Sequence, residues 1–139
     1  MADPLQRFVA AQEGIYEQAL AELIAGRKQS HWMWFIFPQL AGLGRSAMAQ
    51  RYGIASREEA EAYFRHSLLG ARLIECTRAV LAHAGATAEI IFGTVDALKL
   101  RSSMTLFEVT SGEHEPGFAQ ALLAFYGGER DDRTLALLG

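Results

Sequence analysis

His31-Trp32-Met33-Trp34-Phe35-Ile36-Phe37-Pro38-Gln39 places both tryptophans of the chain in one short run. Each large ring carries roughly 150–250 Å² of surface, so the run demands a core around it. Its apolar residues follow neither a 3.6-residue nor a two-residue period, and Pro38 biases Phe37 towards extended backbone. The expected conformation is a short, buried, partly extended segment with the other elements packed around it. Trp32 and Trp34, two apart, would then point to opposite sides, one filling the core and the other free to stack on a ligand.

Outward from this run the pattern is helical. Asp3 and Pro4 suit a helix start, and Leu5, Phe8 and Val9 share its inner face. Tyr16, Leu20, Leu23 and Ile24 recur at helical spacing up to Gly26. Past the aromatic run, Leu40-Ala41-Gly42-Leu43-Gly44-Arg45-Ser46 reads as a glycine-punctuated loop before a short helix ending near Gly53. Ser56 and Glu59 have capping-box spacing, with Ala60, Tyr63 and Phe64 facing inward.

Residues 68–83 predict the longest helix, with Leu69, Leu73, Cys76 and Val80 on its apolar face. Arg72, Glu75 and Arg78 lie at i,i+3 distances that favour local ion pairs. Glu89–Phe92 is a short helical or extended piece, and Thr94 is the expected cap of a helix running to about Val109. Pro116 opens another, with Phe118, Ala121, Leu122 and Phe125 inward and Gly127-Gly128 as its stop. Asp131 or Asp132 caps a final turn that should bury Leu135 and Leu138. The pattern predicts an all-α single domain over residues 1–139, an orthogonal bundle of six to eight helices with a short extended aromatic segment.

The 139 residues suffice for one core, and with 50% hydrophobic and 21% charged residues the composition is that of a globular domain. A net charge of −3 argues against nucleic acid or acidic membranes as partners. Cys76 is the only cysteine, so no intrachain disulfide can form, and with neither a signal-like start nor a spanning apolar run the expected location is the cytoplasm. The oligomeric state stays open.

Candidate chemistry concentrates on the helix from Thr94. At 100° per residue, Asp96, Lys99 and Ser103 interleave with Leu100, Leu106 and Phe107, while Arg101, Thr105 and Glu108 point the other way. Polar groups on an apolar face either form a structural ion pair at i,i+3 or line a polar pocket. In the pocket reading Asp96, Lys99, Ser102 and Ser103 face a ligand, Trp32 or Trp34 stacks on it, and Gln39 orients it. Arg45 and Arg72 would counter negative charge, and the glycine loop with Ser46 would offer amide donors. His31 and Asp96 would be the acid/base pair if chemistry occurs.

No cofactor or metal motif appears. The glycine loop is not a Walker A loop, because Gln39 stands where that motif needs glycine. The histidines His31, His66, His83 and His114 have no metal-ligand spacing, and Cys76 on an apolar face reads as an inert thiol.

With these residues in view, the chain resembles the domain of unknown function 1810 family. The likeness rests on Arg7-Phe8-Val9-x-Ala11-Gln12, Ser30 through Gln39 with Leu43-Gly44-x-Ser46, and Leu69-Gly70-x-Arg72-Leu73. It continues through Ile91-Phe92-Gly93-x-x-Asp96-x-x-Lys99-Leu100-x-Ser102-Ser103-Met104-Thr105-Leu106-Phe107. The resemblance implies a compact, mostly helical fold and carries no activity with it. Its polar positions correspond here to His31, Gln39, Ser46, Arg72, Asp96, Lys99, Ser102 and Ser103. Three functional readings follow: a pocket for a small polar or anionic, nucleotide-like ligand; a non-enzymatic protein-interaction module; or, by analogy with helical NADAR-type N-glycosidases, a hydrolase acting on an ADP-ribose-like substrate.

Overall fold

The computed structural model describes residues 3–139 and shows ten helices among them. They are α1 (Gln6–Gln12), α2 (Tyr16–Ala25), α3 (Met33–Ile36), α4 (Ala47–Tyr52), α5 (Arg57–Arg65), α6 (Leu69–Leu81), α7 (Ala88–Phe92), α8 (Thr94–Ser111), α9 (Gly117–Tyr126) and α10 (Asp132–Leu138). The all-α class holds, with more and shorter helices than the predicted six to eight. The one pairing of extended backbone among the described residues is a parallel bridge between Leu40 and Ile54.

The aromatic run is not extended. Met33–Ile36 closes a single α-turn, with Phe37 at φ −123°, ψ 76° before Pro38. A turn lets Met33, Phe35 and Ile36 all reach the core while Trp32 and Phe37 stay fully buried on either side of it. Alternation would have thrown half of these side chains outward.

α8, at 18 residues, is the longest helix, not the stretch at 68–83, where α6 spans 13. It packs against α5, α7, α9 and α10 and forms the axis of the molecule. From Ser102 to Phe107 every residue is buried, so Thr105, expected outside, lies inside. A helix enclosed on all sides has no single apolar face to read from its sequence. Thr94 does not cap it: the cap position is Gly93 at φ 81°, ψ 164°, a backbone conformation open to glycine that lets α8 start directly after α7.

Other starts follow the sequence more closely. Ser46, Ser56, Thr87 and Asp131 each accept a backbone N–H in the first turn of the following helix. In the capping box, Glu59 returns its bond to Ala55 N–H rather than to Ser56, at 3.0 Å. The i,i+3 charges of α6 are spent on other segments: Arg72 reaches Gln12 and the face of Tyr16, Glu75 accepts from the Tyr16 hydroxyl, and Arg78 pairs with Glu115 in the connection between α8 and α9. Ile24 is exposed where Ala19 is buried instead, and in α10 Thr134 is fully buried while Leu138 packs partly buried against the core.

The aromatic residues form a connected stack through the interior. Phe8 meets Tyr63 edge-on at 5.1 Å, Tyr63 meets Phe107 at 5.5 Å, and Phe107 meets Phe118 at 5.8 Å. Cys76 is fully buried, and desolvation pushes its thiol up to about 12, which keeps it protonated and unreactive at neutral pH.

Glu22 ties the aromatic run to α2. Its carboxylate accepts from Ser30 Oγ at 2.6 Å, Gln29 N at 2.7 Å, Ser30 N at 3.0 Å and Trp32 Nε1 at 3.0 Å. Burial raises its pKa, but the bonds from Ser30, Gln29 and Trp32 outweigh that and hold it at about 2 against an ordinary 4.5. A depressed folded-state pKa contributes stability that is present above pH 4.5 and lost as pH falls towards 2. Urea denaturation at pH 7 and pH 3 should show this loss in the wild type and a much smaller one in Glu22→Gln, which should already be weakened by about 2 kcal/mol at pH 7. Ser103 is fully buried, and its Oγ finds no partner among the described residues. Ser103→Ala should therefore leave the melting temperature unchanged or raise it, since it removes an unpaired polar atom.

Candidate functional site

The first turns of α8, the loop before α4 and the start of α10 enclose a cleft of about 490 Å³. The α8 residues that line it are Val95, Leu98, Lys99, Arg101 and Ser102. Four of these share one stripe, at i, i+3, i+4 and i+7 from Val95. The stripe lies one step around the helix from the Asp96–Lys99–Ser103 sector expected from the sequence. Val95 and Leu98 are 67% and 62% exposed, so the cleft has an apolar wall that is open to solvent.

Gln39, Arg45, Ser46, Lys99 and Ser102 come together in this cleft as site candidates. Ser46 Oγ accepts from Ala49 N at 3.1 Å as the α4 cap, which leaves its hydroxyl hydrogen free to donate. Ser102 Oγ donates to Asp131 Oδ2 at 3.1 Å, and the same oxygen accepts from Thr134 N at 3.0 Å. Thr105 Oγ1 accepts from Asp131 N at 2.9 Å, so Asp131 is held as the joint between α8 and α10.

Asp96 sits between two ammonium groups, with Lys28 Nζ at 2.9 Å and Lys99 Nζ at 3.6 Å. Each lysine also lies over a tryptophan: Lys28 is 4.9 Å from the Trp32 ring centroid and Lys99 is 4.9 Å from that of Trp34. Of the four residues of the pocket reading, Lys99 and Ser102 line the cleft, whereas Asp96 and Ser103 do not. The ion pair exists, and Lys99 borders open space beside it.

The remaining candidates lie elsewhere. Trp32 is fully buried and gives its indole N–H to Glu22, so it has no face for a ligand. Ser103 is enclosed in the core. Arg72 donates to Gln12 Oε1 at 3.2 Å and covers Tyr16 at 4.4 Å, a structural position among α1, α2 and α6. His31 is exposed, does not line the cleft and makes no hydrogen bond to Asp96. Trp34 does not line this cleft; it lines a small separate recess that shares Gln39 and Gly44 with it.

Sequence reasoning missed Lys28, Arg101, Asp131 and Arg133. Lys28 lies in an irregular loop, where no period gives direction. Arg133 follows two aspartates that draw attention as caps. A weak signal existed for Val95 and Leu98, two apolar residues off the core face of α8.

A second cleft, of about 480 Å³, lies between Arg101, Glu108, Leu122, Glu129, Arg130 and Asp132. Two charge pairs span it, Arg130 with Glu108 at 2.5 Å and Arg101 with Glu129 at 3.5 Å. No cluster of three or more His, Cys, Asp or Glu side chains suited to a metal occurs among the described residues, and no helix there is long and apolar enough to cross a membrane.

Among curated proteins none matches the chain in sequence. The crystal structure of the conserved hypothetical protein Rv1873 from Mycobacterium tuberculosis is 54% identical and matches 98% of each chain with a TM-score of 0.95. The model of a family described as proteins of unknown function, DUF1810, matches residues 2–138. With nearly its whole length matched, the chain belongs to the DUF1810 family.

Proposed function

We propose that the cleft beside α8 binds a small anionic ligand that also carries a flat apolar part. The observation that supports this is the charge on its walls: Arg45, Lys99, Arg101 and Arg133 come from three separate segments, Lys99 sharing Asp96 with Lys28 and Arg101 facing Glu129 at 3.5 Å. In a chain of net charge −3 such a local excess of cations stands out. Asp131, the one carboxylate on the wall, accepts from Ser102 and Thr134 and keeps its charge, which offsets one of the cations. Arg101 is held by the carbonyls of Glu129 and Arg130 at 3.1 and 2.9 Å, which makes it a fixed part of the wall. Arg45 and Arg133 form no ion pair among the described residues.

The cleft volume falls within the range of roughly 300–1,000 Å³ common for small-molecule sites. Exposed Val95 and Leu98 supply the apolar wall, and Ser46 with Gln39 supplies neutral hydrogen bonding. Phosphate suits the cations, and a mononucleotide-sized molecule suits the space. Asp96, with both oxygens near ammonium groups, serves this site by positioning Lys99 rather than by moving a proton. The reading is therefore one of binding, and neither an acid/base pair nor a flat interaction face is needed for it.

Pyrophosphate should raise the melting temperature of the wild type above the effect of sulfate at equal ionic strength. Lys99→Met and Arg45→Gln should each weaken pyrophosphate binding by about 10- to 100-fold, the scale of one lost charge-assisted contact. Stabilisation that survives in the double variant would place anion binding outside this cleft.

A further inference from the structure

The walls of the cleft and the groups behind them fix the charge that it offers a ligand. Lys99 shares the Asp96 carboxylate with Lys28, so these three groups together leave one positive charge, and Lys99 is the member that lines the cleft. Arg101 has the Glu129 carboxylate at 3.5 Å, which offsets it. Arg45 from the loop before α4 and Arg133 from α10 add two further positive charges, and Asp131 takes one away. The cleft is left with a surplus of two positive charges.

That surplus is presented as hydrogen-bond donors. Lysine and arginine side chains can donate but have no acceptor. Ser46 Oγ already accepts from Ala49 N, so what it has to give is its hydroxyl hydrogen. Asp131 is the one charged acceptor on the wall, and its Oδ2 takes Ser102 Oγ, Thr134 N and Thr134 Oγ1 at 3.1, 3.0 and 2.5 Å. An oxyanion with two negative charges and no hydrogen to donate matches such walls better than one with a single charge or an acidic proton.

Resting on the reading of the cleft as an anion site, we propose that its ligand is a phosphate monoester in the dianionic form. The ester group is the flat apolar part, set against exposed Val95 and Leu98. Phosphodiesters and sulfate esters offer tetrahedral oxygens with one charge only and leave one positive charge of the cleft uncompensated. A monoester loses its second proton near pH 6, roughly, so the titration of the ligand itself turns the preference on. The charged groups that face it are Arg45, Lys99, Arg101, Asp131 and Arg133, and no histidine among the described residues lines the cleft.

Phenyl phosphate and phenyl sulfate share a ring and a tetrahedral head but carry two charges and one at pH 8, and titration calorimetry of the whole chain with each provides the test. The phosphate should bind at least about tenfold more tightly at pH 8, the scale of one further charge in a half-exposed site. At pH 5, where the phosphate also carries one charge, the advantage should shrink to about twofold or less. The sulfate keeps its charge throughout and reports any change in the protein. Arg133→Gln and Lys99→Met should each weaken the phosphate by about tenfold and the sulfate clearly less. Arg65→Gln, which removes an exposed cation of α5 outside the cleft, should change neither. Inorganic phosphate, without a ring, should bind more weakly than phenyl phosphate.

Equal affinities of the two esters at pH 8 would overturn the dianion assignment and leave the cleft reading standing. A phosphate preference untouched by both Arg133→Gln and Lys99→Met, or inorganic phosphate binding as tightly as phenyl phosphate, would overturn it as well. So would failure of both esters to bind a chain that pyrophosphate stabilises. Absence of binding by either ester, together with no response to pyrophosphate, would remove the cleft reading and this inference with it.

Discussion

An ammonium group nearly withdrawn from water needs an opposite charge, and Lys28, with a side chain only 7% exposed, finds it in Asp96. The same ammonium donates to Ser30 O at 2.6 Å and lies over Trp32, while the Lys28 amide donates to Ile91 O at 2.7 Å. One residue in an irregular loop thereby joins the end of α2, the aromatic run, α7 and the start of α8. Breaking the pair on either side would leave a desolvated charge alone, which is the costliest single defect this region could suffer.

The candidate site inherits its shape from that pair. Asp96 also faces Lys99, so the carboxylate that neutralises a buried lysine on one side steadies a half-exposed one on the other. Lys99 is further held over Trp34, 4.9 Å from its ring centroid. On the opposite wall Asp131 performs the equivalent service for α10, fastening Thr134 and Ser102 and leaving Arg133 beside the open space. Asp96 thus stands outside the cleft and Asp131 on its wall, each engaged with the fold, and the cations line the open side. Such an arrangement places positive charge towards solvent without surrendering the stability of the bundle, because each carboxylate is already engaged with the fold.

The relation between the two tryptophans shows how closely structure and site are interwoven. Trp32 is wholly consumed by the core, its ring under Lys28 and its N–H on Glu22. Trp34 has the same kind of cation over its ring but no acceptor for its N–H among the described residues. Trp32 stands at the N-cap of α3, with φ −138° and ψ 4°, while Trp34 lies inside the turn, so the two rings sit under different lysines, one wholly in the core and the other partly buried against it.

Much of the architecture was legible in the residues taken alone. Capping side chains at Ser56 and Asp131, glycine stops at Gly26 and Gly127, and the periodic faces of α2, α6 and α9 are local devices, and local devices act the same way in any surroundings. The importance of Asp96 and Lys99 was visible too, as charges on a helix that had to be satisfied. What remained hidden were the directions. α8 is buried on every side along Ser102–Phe107, so no hydrophobic stripe could say which of its polar residues met solvent, and Ser103 and Thr105 went inside while Val95 and Leu98 stayed out. The partner of Asp96 and the cations beside the cleft come from loops and from a helix more than twenty-five residues away, as Lys28 and Arg133 do. Sequence determined those helix ends that a capping side chain or a glycine stop marks, because such devices depend on neighbours in the chain; tertiary structure alone decided which faces met and that the aromatic run coils into a turn, because that depends on the shapes and charges of segments that approach only when the chain is folded.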